Sequence, residues 1–137
     1  MQRFAMDDLL QWKERASRKP LVIMGARQVG KTWLMKEFGK KYYEKTAYIS
    51  FYNNRRMKDV FDVDFDIERI IMNLNIESGV TITPGNTLII LDEIQNVPKV
   101  LESLKYFCEE APEYHVVAAG SLLGVAIHEG ISYPVGK

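Results

Sequence analysis

Residues 21–32 read Leu21-Val22-Ile23-Met24-Gly25-Ala26-Arg27-Gln28-Val29-Gly30-Lys31-Thr32, an unbroken apolar run followed by a glycine-bounded loop ending in lysine and threonine. Pro20 and Gly25 bound the apolar run, the pattern of a short strand buried on both faces, and we expect a central strand at 21–24. Gly25 to Thr32 satisfies G-x-x-x-x-G-K-[ST], the loop that wraps phosphates between a strand and a helix. Its glycines let the backbone come close, so that successive N–H groups and the following helix N-terminus face an anion. All eight residues, Gly25, Ala26, Arg27, Gln28, Val29, Gly30, Lys31 and Thr32, are therefore candidate nucleotide-phosphate contacts. Lys31 supplies a point charge for the β and γ phosphates, and Thr32 a hydroxyl for Mg²⁺. Arg27 reads as a solvated loop side chain, with a phosphate or a neighbouring subunit as its alternative partner.

Outward from the loop, Leu34, Met35, Phe38 and Tyr42 follow a helical stripe from Lys31 to about Tyr43, and Ala47 to Tyr52 alternates as a strand. Upstream, Ala5, Leu9, Trp12 and Ala16 predict an amphipathic helix over 5–18, ended by Pro20. Downstream, Asp66 is placed to cap a helix carrying Ile67, Ile70, Ile71 and Leu74 that stops before Gly79. Pro84-Gly85-Asn86 is a turn. Thr87 to Leu91 is a second fully apolar strand. Pro98 opens a helix with inner face Val100, Leu101, Leu104 and Cys108, closed by Pro112. His115 to Ala119 is a third buried strand, Gly120-Ser121 turns away from it, and Leu122 to His128 forms a short helix. Alternation of strands with helices predicts an α/β fold around a parallel sheet.

The strand Leu88–Leu91 delivers Asp92 and Glu93 to the carboxyl edge of such a sheet, where open α/β folds bind ligands. This is the Walker B arrangement: Asp92 holds Mg²⁺ through water, and Glu93 orients and deprotonates an attacking water. An acid directly after the metal aspartate suits water activation better than transfer to a second substrate, so hydrolysis is favoured. Ser121, at the end of the next strand, is placed either to bridge to the attacking water or γ-phosphate or to cap a helix. Arg55-Arg56 read as surface charges, His115 and His128 as structural or exposed, and Cys108 as core.

Composition agrees with one globular unit. The chain has 137 residues, 47% of them hydrophobic, with 18 basic against 18 acidic side chains. Disordered, collagenous and disulfide-scaffold classes are thereby excluded. Zero net charge gives no overall pull toward nucleic acid or an anionic membrane. Residues 1–69 carry +5 and residues 70–137 carry −5, and Arg69 is the last arginine; the basic half includes Arg27 and Lys31 and otherwise reads as solvated surface. A single cysteine, no stretch of about 20 apolar residues and an acidic start point to a cytoplasmic protein without a membrane segment.

The segments GARQVGKT, LIILDEIQ and VVAAGS resemble the AAA+ ATPases that bacteria and archaea carry as long chains with a second domain after the ATPase. The phosphate loop and the Walker B pair are generic; the G-x-R-Q-x-G-K-T form and the D-E-I-Q run are narrower. The resemblance implies an ATP-dependent, Mg²⁺-requiring hydrolase of the P-loop NTPase fold, with Glu93, Lys31 and Ser121 catalytic and Thr32 and Asp92 on the metal. It moves Ser121 from the cap reading toward a sensor position. It also implies a homo-oligomer or partner domain that supplies an arginine. Such ATPases resemble a five-stranded sheet ordered 5-1-4-3-2, whereas four candidate strands are found, at 21–24, 47–52, 87–91 and 115–119. We therefore read residues 1–19 as a leading helix and 20–137 as a nucleotide-binding core ending before its fifth strand. The expected consequence is an unpaired edge at the first strand, and with it weak solution stability or self-association. A nucleotide-dependent switch that does not hydrolyse is the alternative function. A small-molecule kinase lacks its late arginine-rich lid here, and a GTPase its N-K-x-D motif.

Overall fold

Strands that are apolar on both faces need a layer of helices on each side, and this chain supplies them. The computed structural model describes residues 6–15, 18–25 and 30–121. Its elements are α1 (Met6–Lys13), β1 (Leu21–Gly25), α2 (Lys31–Tyr42), β2 (Lys45–Ser50), α3 (Arg55–Val63), α4 (Ile67–Ser78), β3 (Thr87–Asp92), a 3₁₀ turn (Ile94–Asn96), α5 (Pro98–Glu110) and β4 (His115–Ser121). The four strands form one parallel sheet in the order β1-β4-β3-β2. That order is the expected 1-4-3-2. The expectations for Ala5, Ala16, Leu122–His128 and the segment 131–137 lie outside the described residues, as does His128.

Successive strand residues point to opposite faces, and the core divides accordingly. Val22, Ala47, Ile49, Ile89, Leu91, Val116 and Ala118 pack with α3, α4 and α5 on one face. Leu21, Ile23, Leu88, Ile90, Val117 and Ala119 pack with Leu9 and Trp12 of α1 and Met35 and Phe38 of α2 on the other. No helix among the described residues is long and apolar enough to cross a membrane.

Several local expectations are corrected. Strand β1, read as central from its apolar run, has β4 as its one sheet neighbour among the described residues, which agrees instead with the unpaired edge expected there from the strand order. Strand β2 lies two residues earlier than expected because β3 sets its length: Lys45 pairs with Thr87 and Ser50 with Asp92, and β3 ends there. Residues Gly120 and Ser121 do not turn away but continue β4, opposite Met24 and Gly25. The first helix ends at Lys13, whose carbonyl accepts from Arg18 Nη1 at 2.8 Å, an arginine satisfying a terminal carbonyl. Asp66 occupies the N-cap of α4 without a side-chain cap bond. Its own N–H is taken by Asp64 Oδ1 instead. Cys108 is only partly buried, and Phe107, 1% exposed, takes the inner position on α5; the larger ring sits on the deeper side of the stripe.

Helix α3 was not foreseen, although its signal is local. Asn54 Oδ1 accepts from Met57 N–H at 3.1 Å, an N-cap, and Met57, Val60 and Phe61 bury one face. Arg55 and Arg56 sit on its exposed side as expected, Arg56 pairing with Glu77 at 3.2 Å.

His115 is 6% exposed, and its Nδ1 shares a 2.6 Å hydrogen bond with the Tyr43 hydroxyl. Burial, helped by the charges of Arg18 and Lys13, pushes the imidazole down to about 4. An unfolded histidine titrates near 6.5. Between those values the unfolded chain therefore binds more protons than the folded one, and stability falls as pH drops. The thermal midpoint of the parent should fall by several degrees more than that of His115→Gln between pH 6.5 and 4, with the difference absent above pH 7. Parallel pH curves for the two proteins would refute this assignment.

Candidate functional site

All four parallel strands end at the same edge of the sheet, and the candidate residues stand there. β1 ends at Gly25 and α2 begins at Lys31, so the loop between them lies at this edge. Ala26, Arg27, Gln28 and Val29 lie outside the described residues. Gly30 is the N-cap of α2, at φ 105° and ψ −14°, a left-handed backbone that glycine adopts without strain. Among the described residues no side chain caps α2, and the first turn holds no acid. The first N–H groups of a helix have no intrahelical acceptor, so this terminus suits an anion.

Thr32 Oγ1 donates to Asp92 Oδ2 at 2.7 Å, tying the start of α2 to the end of β3. Tyr48 of β2 donates its hydroxyl to the same oxygen at 2.8 Å. The backbone N–H of Glu93 donates to Asp92 Oδ1 at 2.9 Å. Both oxygens of this carboxylate, which belongs to a residue 3% exposed, are thus engaged, as burial of a polar group requires. Burial, reinforced by Asp92, raises the Tyr48 phenol above its ordinary range and keeps it a donor. The Lys36 ammonium sits 4.0 Å over the Tyr48 ring, a cation–π contact.

Lys31 Nζ crosses to β4, where it donates to the Gly120 carbonyl at 3.1 Å. Desolvation lowers its ammonium below the usual lysine range, and the charges of Asp92 and Glu93 oppose that shift. Glu93 leaves β3 at φ 59°, an uncommon backbone for a residue with a Cβ. Asn96 holds the turn by donating its backbone N–H and its side-chain amide to the Glu93 carbonyl, each at 3.2 Å. The Glu93 carboxylate accepts from Gln95 Nε2 at 2.8 Å, and Gln95 Oε1 accepts the Ser121 N–H at 3.1 Å.

Of the predicted site residues, Lys31, Thr32, Asp92, Glu93 and Ser121 therefore meet at one edge. Sequence reasoning missed Tyr48 and Gln95. No motif marks Tyr48, a strand residue 44 positions from its partner. Gln95 closes the D-E-I-Q run, and that was the available signal. Among the described residues no cluster of three or more His, Cys, Asp or Glu side chains could hold a metal ion. Thr32 and Asp92 instead offer two oxygen donors, the sparse protein ligand set that suits Mg²⁺, which keeps several waters.

A family model described as an AAA domain matches residues 17–137. No curated protein sequence matches the chain. Among solved structures the fold is similar to that of C. elegans PCH-2, with a TM-score of 0.45 and 10% identity. That match covers 94% of this chain and 41% of the PCH-2 chain, so the present chain spans about two-fifths of its length.

Proposed function

From a chain that belongs to the AAA domain family, and is thereby a nucleotide-binding, ATPase-like module, we propose a protein that binds ATP with Mg²⁺ and hydrolyses it. The observation that carries this reading is the 2.7 Å bond from Thr32 to Asp92. It joins the residue after the phosphate-loop lysine to the acid preceding Glu93. Thr32 and Asp92 would hold Mg²⁺, whose charge, when bound, offsets that of the β and γ phosphate oxygens. Lys31 meets the same phosphates as a point charge, and the loop 25–32 with the start of α2 supplies backbone N–H groups.

Glu93 takes a proton from water as its oxygen bonds to the γ-phosphorus. The bond from that phosphorus to the β–γ bridging oxygen breaks, and ADP and phosphate leave. Ser121, at the end of β4, contacts the water or γ-phosphate. ATP as the nucleotide is what membership of the AAA domain family suggests. A second subunit or a partner domain supplies an arginine to the developing charge, in a cytoplasmic setting.

The test is calorimetric titration of the purified chain with ATP in Mg²⁺ and in EDTA, with phosphate release measured in parallel. We expect ATP to bind, ADP and phosphate to appear in equal amounts, and release to drop to background in EDTA. Bound ATP that stays intact in Mg²⁺ would sink the hydrolytic reading and leave a nucleotide switch.

A further inference from the structure

Gln95 lies between two groups that both belong to the proposed chemistry. Its Nε2 is 2.8 Å from Glu93 Oε1, and its Oε1 is 3.1 Å from the backbone nitrogen of Ser121. A carboxylate only accepts and a backbone N–H only donates, so one orientation of the amide satisfies both partners and the flipped one satisfies neither. The 3₁₀ turn carrying Gln95 is pinned by Ile94 and Val97, at 0% and 3% exposure. The turn also follows the left-handed Glu93, so the glutamate backbone and its carboxylate are both held.

We propose that Gln95 is a positioning residue that ties the carboxylate of Glu93 to the last residue of β4. The proposal rests on the hydrolytic reading above, in which Glu93 is the base. The geometry also gives the tie a direction. Lys31 holds the carbonyl of Gly120, and the next residue donates the N–H that orients Gln95. A triphosphate that recruits the Lys31 ammonium therefore acts one residue from the anchor of the base, so occupancy of the phosphate site and orientation of Glu93 are coupled through residues 120 and 121.

The experiment compares kcat and KM for Mg·ATP in the parent chain, Gln95→Ala, Gln95→Glu, Glu93→Gln and the double variant Gln95→Ala/Glu93→Gln. Thermal midpoints verify folding. Gln95→Glu keeps the length and the acceptor facing Ser121, but replaces the donor to Glu93 with a second carboxylate that repels it, whereas Gln95→Ala removes the donor without adding charge. Misplacement of a catalytic group by about 1 Å costs on the order of 10²-fold. We therefore expect kcat to fall by about 10- to 100-fold in both single Gln95 variants, with KM near the parental value. The double variant should be no slower than Glu93→Gln alone, because residues acting as one unit are not additive. Parental kcat in both Gln95 variants beside a slow Glu93→Gln would overturn the positioning role and leave the hydrolytic reading standing. A further loss in the double variant would place Gln95 outside the action of Glu93 and overturn it as well. An inactive parent chain, or parental turnover in Glu93→Gln, would remove the hydrolytic reading and this inference with it.

Discussion

Glu93→Gln leaves Mg·ATP bound and lowers its turnover by about 10²–10⁴-fold, the range that general-base catalysis supplies. Glutamine has the same shape and length, so the backbone turn at φ 59° and the bonds from Asn96 to the Glu93 carbonyl are unaffected. What disappears is the capacity to take a proton from water. The neighbouring Gln95 Nε2 still finds an acceptor, because the new amide carries an oxygen. Removing a negative charge from beside a polyphosphate does not oppose binding, so the dissociation constant stays at the parental value or falls. Phosphate release under single turnover, with calorimetry on the same samples, reads both quantities. A variant hydrolysing at the parental rate would disqualify Glu93 as the base. A pure switch would show no turnover in the parent and no difference in the variant.

Lys31→Ala weakens ATP binding by about 30-fold to several thousand-fold, corresponding to ~2–5 kcal/mol for truncating one partner of a buried, hydrogen-bonded charge pair. The ammonium of Lys31 is already partly desolvated at the mouth of the loop and leans on the charges of Asp92 and Glu93. A polyphosphate there would meet a cation whose hydration has been partly given up. Among the described residues that cation bonds to the Gly120 carbonyl, an interaction worth about 1 kcal/mol. The thermal midpoint without nucleotide therefore changes little while the heat of ATP titration vanishes. An alanine variant binding ATP like the parent would show that the phosphates lie elsewhere.

The parts of the site that were legible in the sequence are those whose signal is contained in a few neighbouring residues. Gly25, Gly30, Lys31 and Thr32 announce themselves by spacing. Asp92 and Glu93 do so by following a run of four apolar residues. The N-cap Asn54 with Met57, Val60 and Phe61 belongs to the same class, and α3 could have been found from it. Tyr48 and Gln95 belong to another class, because Tyr48 carries no motif and the D-E-I-Q run marks Gln95 without saying what it touches. Their roles follow from neighbours on β3 and β4. Ser121 is intermediate: its place near the strand end was read correctly, but its membership of β4 and its N–H bond to Gln95 required the paired strand.

By itself the sequence determined where the strands and most of the helices form, that the strands are buried on both faces, and that a G-x-x-x-x-G-K-T segment follows the first of them. Periodicity, capping and glycine placement act over a few residues, and those effects are written locally. The tertiary structure decided which side chains meet. Lys31 and Gly120 are 89 residues apart, Thr32 and Asp92 are 60, and Tyr48 and Asp92 are 44. Such contacts are set by parallel strand register, which places Ser50 opposite Asp92 and Gly25 opposite Ser121. A slip of one residue would turn every side chain of a strand to the other face. With both faces buried, the close packing of each face against its own helices selects the register, and the register assembles the site.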